Sequence, residues 1–562
     1  MKEEVQTIGS ATEATAAIAR RPAWGTLALA ALLGWLVGYP LLATLVEALR
    51  EPKAFLDVLA RGDEWLALWR SVWTSLASVA LAALVGVPLA FAFERSEFPG
   101  RRLLSAAAAL PVALPPLVGV IAFLFLYGES GFATRAVQAW LGLDAPPWRL
   151  LGPGAILLVH TYSMYVYFYL FTRAGLARLD GAVLEAAASL GASRARTLWR
   201  VTLPLLRPSL LGAALLTFMT ALASFSAPYL FGGNFRVMTT QIVASKLNGE
   251  LAAAQVETLL LAAVALIALG VLRRLERTAA IPGSSGVRGT APARRRPDRR
   301  AVRIALALVA AGLAVLFLLP HAVLFLISFV PPFTWTNEPF PPVLSLENYR
   351  ALFSPERLRP IGNSLWMAVV STAAAVALGF AAARAATRRS GPAARAVEAL
   401  VALPWAIPGT VFAVAMATAW SVHSPWTLRF VLIGTPWILP IAYLVRSLPV
   451  TGRAALAGMR QMDPALEDAA ASLGAGPSRT LRRVVLPQLR PALAAGAGLA
   501  FLAAFGDFVV SIVLYTYDTR PISIEILSAL RLQDLGLASV YGVLLAIGST
   551  AVFFLWGRSD AL

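Results

Sequence analysis

The 562-residue sequence contains no cysteine and only three histidines, His160, His321 and His423, which lie far apart along the chain. Disulfides are therefore excluded, and a Cys/His metal cage has no ligand set. The same scarcity leaves redox compartment unreadable and removes the nucleophile, base and metal residues that an integral-membrane enzyme would bring together. Lysine is as rare as histidine, and none of Lys2, Lys53 and Lys246 follows a glycine. The Gly-Lys-Ser/Thr loop that cradles nucleotide phosphates is therefore missing, so no catalytic residues and no metal or nucleotide site are expected on this chain.

Charged residues make up 14% of the chain, while 58% is hydrophobic. The apolar residues gather into runs long enough to cross a bilayer, which takes about 20 residues because hydrocarbon cannot satisfy an open backbone. Twelve such runs are expected. The first six lie near Trp24 to Val46, Ser71 to Phe93, Leu103 to Tyr127, Leu150 to Thr172, Ser209 to Leu230 and Ala252 to Leu272. The second six lie near Ile304 to Val330, Ile361 to Ala383, Ala399 to Trp420, Phe430 to Val445, Pro491 to Tyr515 and Leu535 to Trp556. The first run follows Arg20 and Arg21 and is too long for a signal-peptide core; it is expected to be a retained helix, the alternative being a cleaved signal.

The net charge of +18 invites a nucleic-acid reading, but its distribution points elsewhere. With the N-terminus inside, roughly 34 of the 48 Lys and Arg fall on the cytoplasmic side, the bias expected of membrane orientation. A multi-pass membrane protein with both termini cytoplasmic, in contact with lipid and not nucleic acid, is expected. The most basic stretch, Arg273 to Arg303, includes Arg294, Arg295, Arg296, Arg299 and Arg300 and reads as a cytoplasmic linker. It divides the chain into a first domain over 1–272 and a second over 304–562.

These two parts repeat one another. Glu185-Ala-Ala-Ala-Ser-Leu-Gly191 is answered by Asp468-Ala-Ala-Ala-Ser-Leu-Gly474, and Val201-Thr-Leu-Pro204 by Val484-Val-Leu-Pro487 at the same offset. Upstream, Leu110-Pro111 with Pro115 mirrors Leu403-Pro404 with Pro408 at a slightly different offset, the Gly128 to Pro147 loop taking up the slip. Six helices per half is an even number, so the halves share one orientation and a pseudo-twofold axis runs along the membrane normal.

The repeated motif falls between the fourth and fifth helices of each half. Asp180 to Leu190 reads as a short, acid-capped helix with alanines that let a partner approach closely, and Gly191 permits a sharp turn. A basic segment with Arg194, Arg196 and Arg200 follows, and Pro204 is expected to end it before re-entry into the membrane. In the second copy Asp463 and Pro464 open the helix, Gly474 turns it, and Arg479, Arg482, Arg483 and Pro487 complete it. Asp468 reaches one methylene less far than Glu185, and neighbouring Glu467 is expected to offset this in part. The plainer alternative is a cytoplasmic helical hairpin without a partner.

On these residues the sequence resembles the permeases of bacterial ATP-binding-cassette importers, whose loop reads Glu-Ala-Ala, three residues, Gly, nine residues, an apolar residue, any residue, Leu and Pro. The first copy matches at Glu185, Ala186, Ala187, Gly191, Val201, Leu203 and Pro204. The second matches at Ala469, Ala470, Gly474, Val484, Leu486 and Pro487, with Asp468 in place of Glu. The fused arrangement is most similar to the ferric-iron and thiamine permeases. That resemblance implies an all-α, two-times-six-helix architecture of the type I importer kind in the bacterial inner membrane. It also implies two copies of a separate ATPase subunit carrying ATP and Mg, one periplasmic or lipid-anchored binding protein, and coupling helices seated on the ATPases. Ferric iron is the first expectation for cargo and thiamine the second, with sulfate and polyamines open.

Candidate pathway residues are few. Asp507 is expected about 16 residues into the eleventh helix, where a carboxylate would serve a cation pathway or bond to nearby loop backbone. Ser224 is its counterpart in the first half. His160, Ser163, Met164 and Tyr167 share one face of the fourth helix, which lines the route or packs against neighbouring helices. Pro115 with Pro116, and Pro404 with Pro408, are expected to interrupt the third and ninth helices. A secondary transporter of the major-facilitator type shares the twelve-helix plan but needs buried titratable groups, which this sequence offers sparingly.

Overall fold

A computed structural model describes residues 24–113, 115–279, 294, 296, 299–335, 338–389 and 391–557. Arg20, Arg21 and most of the expected linker lie outside them. The long elements of the first half are α1 (Trp24–Arg50), α2 (Gly62–Arg95), α3 (Pro116–Tyr127), α4 (Gly152–Ala177), the short α5 (Gly181–Ser189), α6 (Leu203–Leu222) and α7 (Leu251–Ala279). The second half repeats the order. It has α8 (Arg300–Ile327), α9 (Pro355–Arg388), a bent pair α10 (Pro392–Ala406) and α11 (Gly409–Ala419), α12 (Ile438–Gln461), the short α13 (Ala465–Ser472), α14 (Leu486–Phe505) and α15 (Leu535–Gly557). Helix therefore extends into both ends of the stretch read as linker, to Ala279 and again from Arg300.

Among the described residues, 10 helices are long and apolar enough to cross a membrane, or 11 with the bent pair. The expected twelve is corrected by α12. It fills the place of the tenth span and packs between α9 and α14 as α4 packs between α2 and α6. However, Arg446, Arg453 and Arg460 lower its hydropathy, and it is not among the helices apolar enough to qualify. The apolar run Phe430 to Val445 misplaced this helix, which begins at Ile438 and continues to Gln461.

Small residues set the interhelical distances, as they must where lipid is as apolar as leucine and close van der Waals contact holds helices together. Gly86 of α2 lies so near α4 that an added Cβ would overlap the Tyr165 carbonyl oxygen and come within 2.8 Å of the Phe168 Cβ. Its counterpart Gly379 of α9 lies 2.7 Å, by the same measure, from Thr451 Oγ1 on α12. The polar groups of α2 fold back on their own helix: Ser71, Ser75 and Ser78 donate to the carbonyls of Ala67, Ser71 and Thr74 at 3.0, 2.6 and 2.6 Å.

Each half lends its first helix to the other. α1 runs along α10 and α11, with the Trp35 ring 4.7 Å from Trp420 and its Nε1 donating to the Trp426 carbonyl at 2.7 Å. α8 lies along α3 in return; Phe317 stacks on Tyr165 at 4.6 Å, and Tyr162 donates to the Phe317 carbonyl at 2.7 Å. The outer faces of α1 and α8 expose Leu42, Leu45, Leu308, Val309 and Val315, an apolar belt that water would not tolerate and lipid does.

Prolines break the spans where expected, with one correction. α3 begins at Pro116 after a short 3-10 turn, and α10 meets α11 at Ile407 and Pro408 with a bend of 114°. Pro404, by contrast, is carried inside α10.

Candidate functional site

The two hairpins match closely. Asp180 Oδ1 accepts from the Ala182 amide at 3.0 Å and Asp463 Oδ1 from the Ala465 amide at 2.9 Å, satisfying amides that each short helix would otherwise leave open. At the far ends, Leu190 and Leu473 amides donate to the Ala186 and Ala469 carbonyls at 3.0 and 3.1 Å. Ala192 and Ala475 donate to the Ala187 and Ala470 carbonyls, both at 3.0 Å. The wrap requires a left-handed residue, and Gly191 and Gly474 supply it at φ +74° and +75°. The turns leave Leu190 and Leu473 pointing outward, 88% and 87% exposed, beside the exposed Glu185 and Asp468.

Two expectations for these hairpins change. Pro204 and Pro487 do not end the basic segments: helix continues from Arg194 to Leu222 and from Pro477 to Phe505. A single wide turn, Leu198–Thr202 or Leu481–Val485, precedes each proline and absorbs the carbonyl it cannot serve. Glu467 is not free to offset the shorter Asp468, because it forms an ion pair with Arg388 at the end of α9.

Opposite these hairpins the halves meet at an aromatic closure. The shift of 283 positions that carries Glu185 onto Asp468 also carries Ser224 onto Asp507 and Phe225 onto Phe508. The two phenylalanine rings lie 5.6 Å apart, with Tyr229 5.1 Å from Phe225 and 6.3 Å from Phe508. Equivalent residues in contact mark the pseudo-twofold axis. Gly506 presses on Pro115 of the other half, Lys246 donates to the Val513 carbonyl and Arg531 to the Tyr229 hydroxyl, so the seam is tied from both sides.

The sequence-selected pathway residues surround this seam unevenly. α14 ends at Phe505, so Asp507 lies beyond it and not within the eleventh helix. Its Oδ1 accepts from the Val510 and Ser511 amides at 2.9 and 3.1 Å and from Ser511 Oγ at 3.2 Å, opening the short helix Ser511–Leu514. His160 is buried and hydrogen-bonded to Ser78 Oγ at 2.8 Å and Ser224 Oγ at 2.9 Å, which brings two of the selected residues together. Met164 and Tyr167 pack with Ala82 and Phe168 between α2, α4 and α6.

Sequence reasoning missed three features. Phe225 and Phe508 are silent within apolar sequence, although the 283-position shift from Ser224 and Asp507 points to them. Arg446 lies one residue past the end assigned to the tenth span; in the structure its guanidinium fills the space left by Gly409 at the α10–α11 bend, and its charge acts on Asp507. Two buried carboxylates, Glu64 and Glu257, sit at the starts of α2 and α7, where Gln241 Nε2 donates to Glu64 Oε1 at 3.3 Å and Ser245 Oγ to Glu257 Oε1 at 2.7 Å. In the second half that corner is filled by Tyr541 donating to the Arg357 carbonyl at 2.7 Å.

Residues 82–280 and 375–561 both match the model of the binding-protein-dependent transport system inner membrane component family. The chain belongs to this family. The permease is 31% identical over 500 residues to an ABC transporter permease protein of Sinorhizobium fredii, covering 88% of this chain and 87% of that one. A ferric transport system permease protein of Actinobacillus pleuropneumoniae is 28% identical over 465 residues, 80% of this chain and 65% of its own length. A thiamine transport system permease protein of Escherichia coli is 27% identical over 508 residues, 87% of this chain and 90% of its own length. Similarity to relatives along most of the chain makes both halves parts of one permease.

Proposed function

We propose that the permease forms the solute pathway of an ATP-driven importer in a bacterial inner membrane, with both termini and both hairpins on the cytoplasmic side. The observation that carries this reading is the paired geometry at Gly191 and Gly474. Two structurally equivalent helices, capped alike, each hold a leucine almost fully in water, a cost a chain without a docking partner has no reason to bear twice. Two ATPase subunits, which would bind ATP and Mg, receive α5 and α13. A binding protein delivers solute at the opposite end, to the segments Glu47 to Arg70, which is mostly helical, and Pro331 to Pro360.

Closure of the ATPases on ATP draws the hairpins together. Each continuous helix from basic segment to seam, Arg194 to Leu222 and Pro477 to Phe505, acts as a lever on its half of the Phe225–Phe508 closure. Separation of the rings opens the pathway outward, and ADP release reverses it. Ferric iron is the first reading for cargo, supported by similarity to the ferric permease along 80% of this chain, and thiamine is the second. Vesicles carrying the permease, its ATPase and its binding protein test the mechanism. Gly191→Pro removes the amide donated to the Ala188 carbonyl and forbids φ +74°, so ATP-dependent accumulation should cease. Normal uptake would contradict the reading.

A further inference from the structure

The second half carries a column of arginines with no equivalent in the first. Arg446, Arg453 and Arg460 are spaced by seven residues on α12, which keeps them within about 40° of one another around the helix and spreads them over roughly 21 Å. The shift of 283 positions places Ser163, Leu170 and Ala177 at the matching points of α4. At the hairpin end, Arg453 and Arg460 line a cavity of about 620 Å³ together with Arg273 from the other half, Arg395 and a single acid, Glu398. At the other end, Arg446 reaches the bend at Gly409 and the neighbourhood of Asp507, beside the aromatic closure.

The cavity lies between α9, α10, α12 and the end of α7. α1 covers the side of α9 that bears Phe380, Arg384 and Arg388, while Ala382, Ala383 and Ala386 on the opposite side of α9 line the cavity. Membrane orientation accounts for arginines at helix ends, which describes Arg273, Arg395 and Arg460. It does not account for Arg453, roughly 10 Å further in, where an unpaired charge is costly unless a water-filled route or a functional partner offsets it; Arg446, roughly 21 Å in, has Asp507 nearby. Arg453 holds its guanidinium 4.9 Å from the Trp405 ring centre, beside the repelling Arg273.

We infer that α12 and the cavity at its end form an electropositive conduit from the closure to the cytoplasm, and that the cargo crosses as an anion, either an oxyanion or an anionic chelate of a metal. The inference rests on the importer reading and specifies its substrate class. In a narrow, low-dielectric passage a single sign of charge concentrates ions of the opposite sign by one to three orders of magnitude. Thiamine, a cation, meets repulsion at the hairpin end, where Arg273, Arg395, Arg453 and Arg460 outnumber Glu398, and ferric iron passes there only inside a chelate of net negative charge.

The absence of cysteine makes the test direct. Ala457 lines the cavity, and Ala457→Cys in the full-length chain provides one thiol there; Ala402→Cys provides a second vantage if the first fails to fold. Modification rates are measured with an anionic and a cationic methanethiosulfonate and divided by their rates with 2-mercaptoethanol. The normalised anion-to-cation ratio should exceed one by about 10-fold and fall several-fold on Arg453→Gln with Arg460→Gln. A ratio at or below one, or a ratio that ignores these substitutions, overturns the conduit.

In vesicles with ATPase and binding protein, solute accumulated from a cell extract is identified by mass spectrometry, and its metal content separates oxyanion from chelate. An accumulated anion supports the inference, and an accumulated cation overturns it. Vesicles that accumulate nothing with ATP refute the importer reading, while the thiol ratio still decides the sign of the conduit.

Discussion

Gly191→Ala combined with Gly474→Ala isolates the part of the structure on which coupling depends. At either position an added Cβ meets no atom within 4 Å, so packing is untouched and the whole effect is conformational. Holding alanine in the left-handed region costs about 1 kcal/mol, and the two turns are far enough apart for their costs to add to about 2 kcal/mol. Docking that requires both helices in their present geometry should weaken about 30-fold for the pair and about 5-fold for either single change. The assay is titration of nanodisc-embedded permease with fluorescently labelled ATPase, alongside thermal unfolding, which should shift little. Affinity within twofold of the parent for the double variant would refute the argument that these backbone turns position the contact.

Gly86→Val and Gly379→Val should each destabilise the bundle by about 1 to 3 kcal/mol, because the new side chain collides with the facing helix, whereas Gly119→Ala, with nothing within 4 Å, should be neutral; thermal unfolding in detergent checks both. Phe508→Ala removes one side of the closure and should raise solute leak from vesicles without ATP, while Phe325→Ala on an exposed surface of α8 should not. Asp507→Ala leaves two amides of the Ser511–Leu514 turn without their acceptor and should cost about 1 to 2 kcal/mol in unfolding, with Asp507→Asn milder because an amide oxygen can still accept. Gly409→Ala should displace the Arg446 guanidinium and lower ATP-driven accumulation while leaving ATPase docking unchanged.

The hairpins were readable from the chain because their information is local: an acid before each helix, a glycine after it, and an interval that recurs. Asp180, Gly191, Asp463 and Gly474 accordingly take the positions their chemistry requires. Helix limits inside the membrane were less readable. A hydropathy-based reading stops at Val445 because Arg446 is charged, yet backbone hydrogen bonding carries α12 on to Gln461, as hydrocarbon requires of any spanning segment. Pro204 and Pro487 looked like helix ends because the wide turns that accommodate them have no sequence signature of their own.

The exchange of α1 and α8 between halves was not readable either, since helices apolar on nearly every side do not identify their partners. Asp507 was singled out for its charge, but what joins the halves is the aromatic pair one residue further on. Phe225 and Phe508 are ordinary apolar residues until the repeat is laid over itself.

The most direct measurement uses the cysteine-free chain with Leu190→Cys and Leu473→Cys, each joined by a short bifunctional reagent to surface cysteines on the ATPase. Both positions should cross-link, giving two ATPase subunits per permease with yields that change when ATP is added, and neither should react with impermeant reagents applied to intact cells. Labelling of these thiols from outside, or the absence of any ATPase cross-link at both, would contradict the account.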